Sequence, residues 1–137
     1  MQNRDHAADF LAAQRYVGMG YIEGEFDCAH FCLLVQREIF GRVLSLPTRF
    51  DRHMRGRAGQ ASQINAATDE LAYRIEAPVH GGVVLTVSGA TWHIGTTFDN
   101  AGEWWVLHNQ RLVGASLNRL RDIAGQGQRI EGYYQWK

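Results

Sequence analysis

The chain has 137 residues, 45% of them hydrophobic and 11% aromatic, enough for one ordinary core, and this predicts a single domain spanning residues 1–137. Fourteen basic and fourteen acidic side chains cancel, so no overall field draws the molecule toward nucleic acid, and partners must be read from local features. No apolar run approaches membrane-spanning length, which argues against membrane insertion. The polar stretch from Met1 to Asp9 lacks the basic and apolar regions of a signal peptide, so synthesis in the cytoplasm is expected.

From Asp5 to Tyr16, Ala8, Leu11, Ala12 and Tyr16 recur at helical spacing, until glycines at 18, 20 and 24 break the pattern. The next helix is the clearest element. Cys28, Phe31, Cys32, Val35 and Ile39 form an apolar stripe that Leu34 widens, with Asp27 as the natural N-cap and Gly41 as the natural stop. Between Leu46 and Ala72 the sequence is mixed: Pro47, a basic cluster of Arg49, Arg52, Arg55 and Arg57, and an amphipathic pattern from about Ser62 to Tyr73 that predicts a helix. A run of basic residues is by default a solvated face.

After Ala77 the period changes to two. Val83 to Val87, Trp92 to Phe98 and Trp104 to His108 predict three antiparallel strands, with turns at Ser88-Gly89 and at Asp99-Asn100-Ala101-Gly102. Ser116 is positioned to cap a short helix running to Ala124 and closed by Gly125, and Ile130 to Trp136 predicts a last, aromatic strand. Helices first and strands afterwards predict an α+β fold, with the Cys28 helix packed on an antiparallel sheet.

The two cysteines, Cys28 and Cys32, stand four apart on one helix, where side chains run side by side, so a disulfide is not expected and reactivity becomes the question. Cys28 falls in the first helical turn, where free N–H groups and the macrodipole favour a thiolate; Cys32, one turn deeper, lacks that advantage. Buried cysteine is the commoner role for such a residue, so the histidines decide. A two- or four-residue loop centred on Asn100 and Ala101 pairs His93 with His108 on one sheet face, whereas a three-residue loop separates them onto opposite faces. In the first register one imidazole accepts the proton of Cys28 and the other fixes its tautomer and ring angle. Cys28, His30 and Cys32 do not converge on one ion, since alternate residues on a helix diverge, and no metal or other cofactor is expected. His53 and His80 read as solvated loop histidines, and Trp104 and Trp105 as core or rim.

Phe26-Asp27-Cys28, Trp92-His93-Ile94-Gly95 and Val106-Leu107-His108 resemble, in this order, the three motifs of the NlpC-type cell-wall cysteine peptidases, which are papain-like. More narrowly, Phe26-Asp27-Cys28-Ala29-His30-Phe31 with Phe40-Gly41, Leu46-Pro47 and Gly132-Tyr133-Tyr134 is similar to the phage-tail branch of that family, over roughly residues 15 to 136 as short motifs. The resemblance implies a papain-like core in which Cys28 is the nucleophile, His93 the base and His108 the polar third residue. It also implies an oxyanion hole made by the Cys28 N–H and an upstream tyrosine, for which Tyr21 and Tyr16 compete and Tyr21 is favoured.

The implied substrate is an amide of the peptidoglycan stem peptide, in particular the D-glutamyl to diaminopimelate bond, with Asp27, Ala29 and His30 lining the binding site. It further implies action at the cell wall as part of a phage or prophage tail, beside tail-tip proteins. The chain departs from the family at three points: Ala29-His30 replaces Ser-Gly, Gly81-Gly82 replaces Gly-Asp, and the loop before Cys28 is trimmed. Two other expectations stand beside hydrolysis. One is a tail-assembly component that keeps the fold without turnover, and the other is acyl transfer by the same thiol.

Overall fold

The computed structural model describes residues 4–23, 25–44, 70–89 and 91–137. Leu46-Pro47, the cluster Arg49 to Arg57, His53 and the part of the expected helix from residue 62 to 69 lie outside the described residues.

Two helices open the chain. Helix α1 covers His6–Gln14, shorter than the apolar pattern, with the Asp5 carboxylate accepting from Ala8 N–H as N-cap. Helix α2 covers Cys28–Phe40, begins at the expected cap Asp27 and ends at Gly41, whose φ of 69° is the left-handed conformation that closes a helix. Among the described residues that follow, one antiparallel sheet of six strands is built: β1 (Ala72–Ile75), β2 (Val83–Ser88), β3 (Thr91–Asn100), β4 (Glu103–Gln110), β5 (Gly114–Arg119) and β6 (Arg129–Trp136), in the spatial order β1-β6-β2-β3-β4-β5. The fold is therefore α+β, with both helices preceding the sheet. Among the described residues no helix is long and apolar enough to cross a membrane.

Of the helix expected to reach Tyr73, Glu70 and Leu71 are helical before the chain turns into β1, and the helix expected from Ser116 gives way to a strand. Ala72 and Tyr73, the end of the pattern that starts near Ser62, pair with Trp136 and Gln135 in β1. Ser116 caps no helix, because residues 114–119 form β5 against β4 and only two short 3₁₀ turns, Leu120–Asp122 and Ala124–Gln126, follow. The physical reason lies in the alternation. Ala115 and Leu117 pack into the helix-side core while Ser116 and Asn118 point the other way, a period of two that a helix cannot satisfy.

One sheet face carries the main core. Phe31 and Val35 of α2 and Phe10 and Ala13 of α1 pack on Phe98, Leu107 and Ala115, while Cys32 packs toward Val83, Leu85, Tyr134 and Trp136. Burying an aromatic or aliphatic side chain of this kind contributes about 1.5–3 kcal/mol, so Phe31, with 1% of its surface exposed, anchors α2 to the sheet. The opposite face is closed by a smaller cluster of Val84, Val106 and Ile123, the last supplied by the 3₁₀ segment.

Candidate active site

The β3–β4 hairpin turns on Ala101 and Gly102, at φ of 54° and 87°, pairing Asn100 with Glu103 and Thr96 with Leu107. Both central residues take positive φ, the two-residue turn whose twist matches that of paired strands. This displaces the register by two residues from the one expected, so Gly95 rather than His93 lies across from His108. A shift of two leaves every side chain on its face, and the histidines still meet, along the diagonal. His93 Nε2 and His108 Nδ1 are 2.8 Å apart, with ring centroids at 4.9 Å and an interplanar angle of 60°.

Gly95 is what allows this approach. A Cβ there would lie 2.5 Å from Val106 Cγ1 and 3.3 Å from His108 Cβ, so any side chain would push the second histidine away.

The β3–β4 ladder ends at Thr96 and Leu107, leaving the first residues of β3 without a partner on that side. Helix α2 starts against this gap, and the N–H of Ile94 is near enough to the Cys28 sulfur to favour its anionic form. The thiol thus meets the strand beside the residue that carries the imidazole. Asp27 fixes the helix start: its Oδ1 accepts from Ala29 N–H and His30 N–H, both at 3.1 Å, and from His30 Nδ1 at 2.8 Å. Asp27 and Ala29 are buried, and His30 is turned back onto the cap. The Cys28 N–H is not taken by this cap and lies against its own sulfur.

The electrostatics differ from the expectation of a stabilised thiolate. Burial pushes the Cys28 thiol up to about 12, outweighing the N–H groups of Ile94, Ala29 and Cys28, which act in the opposite direction. Burial, reinforced by the neighbouring His108, pulls His93 down to about 3, and His108 is lowered by burial against its hydrogen bond to Asn118. At neutral pH the resting state therefore has a protonated thiol and a neutral imidazole. Burial disfavours its protonated form, and the lone pair left outside the bond to His108 is the one on Nδ1.

Of the two tyrosines, Tyr16 donates to Glu38 Oε1 at 2.6 Å, near the far end of α2 and about 15 Å along the helix from Cys28. Tyr21 is close enough to Cys28 and Asp27 for their charges, after burial, to help raise its pKa to about 12, which keeps its hydroxyl protonated and able to donate. Its loop is tied down from both ends. Ile22 and Phe26 form a two-way bridge, and the buried Asn109 donates through Nδ2 to Gly20 O at 3.0 Å and Phe26 O at 3.2 Å.

Two residues of this region escape a reading of the sequence. Asn109 and Asn118 both look like turn-formers, and Asn118 falls inside a stretch that reads as helix. The signal for Asn118 was the alternation of Ala115 and Leu117 with Ser116 and Asn118. His80 is a further correction. It is buried, not solvated, donating from Nε2 to Asp9 Oδ2 at 2.8 Å and accepting at Nδ1 from Asp99 N–H at 2.9 Å. Gly82, where the resembling family carries Asp, has no room for a side chain: a Cβ would stand 2.7 Å from Tyr134 O. Among the described residues no cluster of three or more His, Cys, Asp or Glu is arranged to hold a metal ion.

Comparison with models of protein families, with curated proteins and with solved structures returned no match.

Proposed function

We propose that the protein is a papain-like cysteine peptidase of the NlpC type that hydrolyses an amide bond in the peptidoglycan stem peptide, the D-glutamyl to diaminopimelate bond in particular, as part of a phage or prophage tail. The observation that carries the reading is the meeting of Cys28, at the start of α2, with the strand that bears His93, itself hydrogen-bonded to His108. The peptidoglycan substrate and the tail setting rest on the sequence resemblance.

In this mechanism the Cys28 sulfur attacks the carbonyl carbon while its proton passes to His93 Nδ1. With a thiol whose pKa is near 12, transfer and attack are concerted, since a free thiolate is too scarce at neutral pH to react in advance. The oxyanion of the tetrahedral intermediate accepts from the Cys28 N–H and the Tyr21 hydroxyl, donors each worth a few kcal/mol at such a site. The C–N bond then breaks as His93 gives its proton to the leaving amine. Water attacks the thioester with His93 as base, releasing the carboxylate and restoring the thiol. Asp27, Ala29 and His30 stand at the helix start beside the nucleophile, where the stem peptide would bind.

The burial of Cys28, only 8% exposed, favours one second reading: a tail-assembly component that retains the fold without turnover. One pair of measurements separates the two. A peptidase releases new amines from sacculi or stem tetrapeptides, and iodoacetamide labels Cys28 faster than Cys32. No amine release, together with equal labelling of both thiols, would establish the non-catalytic role.

A further inference from the structure

Resting on the peptidase reading, a further residue takes a part in it. The hydrogen bonds do not end at His108. Its Nε2 lies 2.7 Å from Asn118 Oδ1, and the same oxygen accepts from Ser116 Oγ at 3.0 Å. The Ser116 hydroxyl is shared with Gln110 Oε1 at 3.3 Å, so the orientation of the carboxamide is set at His108, where its oxygen faces the ring, and an amide oxygen only accepts. The His108 bond must then be made by Nε2–H.

The consequence runs along the chain of side chains. A neutral His108 protonated at Nε2 has an acceptor at Nδ1, and the partner of that acceptor, His93 Nε2, must be the donor. A neutral His93 protonated at Nε2 carries its free lone pair on Nδ1. From these contacts we infer that Asn118 is a positioning residue, one that selects the tautomer of His108 and through it makes Nδ1 of His93 the proton acceptor of the site.

Position supports this role. His108 is 1% exposed and pairs across the ladder with Ser116, which places Asn118 on the same face two residues further along β5. Water has little access to His108, so the Asn118 oxygen decides which nitrogen is protonated. The low pKa values of both imidazoles keep each of them neutral, the condition under which a tautomer is defined.

Long-range ¹H–¹⁵N spectra of the ¹⁵N-labelled protein at pH 7 test the assignment, because protonated and bare ring nitrogens differ widely in shift. Both His93 and His108 are expected as Nε2–H tautomers in the unaltered chain. Asn118→Asp, whose carboxylate also only accepts, should keep Nε2–H on His108, whereas Asn118→Leu should populate Nδ1–H on His108 and shift His93 with it. A His93 Nδ1–H tautomer in the unaltered chain would overturn the inference, as would an unchanged tautomer in Asn118→Leu. If Asn118→Leu does not fold, the unaltered and Asn118→Asp spectra still decide. Since these readouts need no turnover, spectra as expected without any amide hydrolysis would refute the peptidase reading alone, and hydrolysis with unmoved tautomers would refute the inference alone.

Discussion

Among the described residues two pairs of histidines are in contact, and their surroundings differ. His6 and His80 stack at 3.8 Å between ring centroids, and each donates to a carboxylate, His6 to Asp99 and His80 to Asp9. Asp9 is held in turn by Arg4 through both of its oxygens, and Arg4 reaches Ile39 O, so the cluster joins α1 to the end of α2, to the approach to β2 and to the β3–β4 hairpin. His93 and His108 also touch, but their chain of bonds ends on the neutral carboxamide of Asn118. His80 has both ring nitrogens engaged, donating to Asp9 and accepting from Asp99 N–H, whereas His93 Nδ1 takes no part in the bond to His108. The first pair is a clamp. The second leaves the lone pair on His93 Nδ1 outside the pair's own hydrogen bond.

The contrast is open to attack from either side. Its largest expected effect is at the nucleophile: Cys28→Ala should abolish amide hydrolysis while leaving the circular dichroism spectrum unchanged, because only a sulfur is removed. Unaltered turnover would move the chemistry elsewhere. His93→Gln should lower kcat by about 10²–10⁴, the usual contribution of a general base. Tyr21→Phe, which removes only a hydroxyl, should cost about 10²-fold in kcat if that hydroxyl meets the oxyanion, with little change in KM. Asp9→Asn should lower stability by about 2 kcal/mol in urea unfolding, yet leave hydrolysis nearly unchanged. A matching loss of kcat would mean that the clamp and the thiol site are coupled.

The broadest effect, spread over several pH units, is on acid stability. His93 titrates near 3 in the fold against an ordinary value near 6.5, so between these values the unfolded chain binds more protons than the native one. Stability therefore falls as pH drops from about 6.5 to about 3, by at most about 1.4 kcal/mol per pH unit for each such proton. His108 and His80, also lowered by burial, act in the same sense. Thermal unfolding of His93→Gln across this range should show a flatter acid limb.

The helix at Cys28 was legible because three local signals agree there: a cap at Asp27, an apolar stripe and a stop at Gly41. The meeting of the histidines was legible for a subtler reason. A period of two forgives a register error of two residues, so the expected pairing of His93 with His108 placed both rings on the right face even though the turn sits at Ala101-Gly102. What sequence reasoning could not supply was long-range. Residues 114–119 carry a Ser cap pattern for a helix, and only pairing with β4 makes them a strand. The same pairing brings Asn118 to His108. His80 looked solvated because nothing nearby in sequence announces Asp9, 71 positions earlier. The thiol's charge state was misjudged because a helix start favours an anion only where burial does not outweigh it.

Trapping the acyl-enzyme addresses the central claim most directly. The protein would be mixed with a stem tetrapeptide, quenched in acid within the first turnover, and its proteolytic fragments weighed. The account predicts a thioester adduct, with the mass of the acyl portion of the substrate, on the fragment containing Cys28 and absent in Cys28→Ala. Hydrolysis without any such adduct in the unaltered protein, or an adduct that persists on Cys32 in Cys28→Ala, would contradict it.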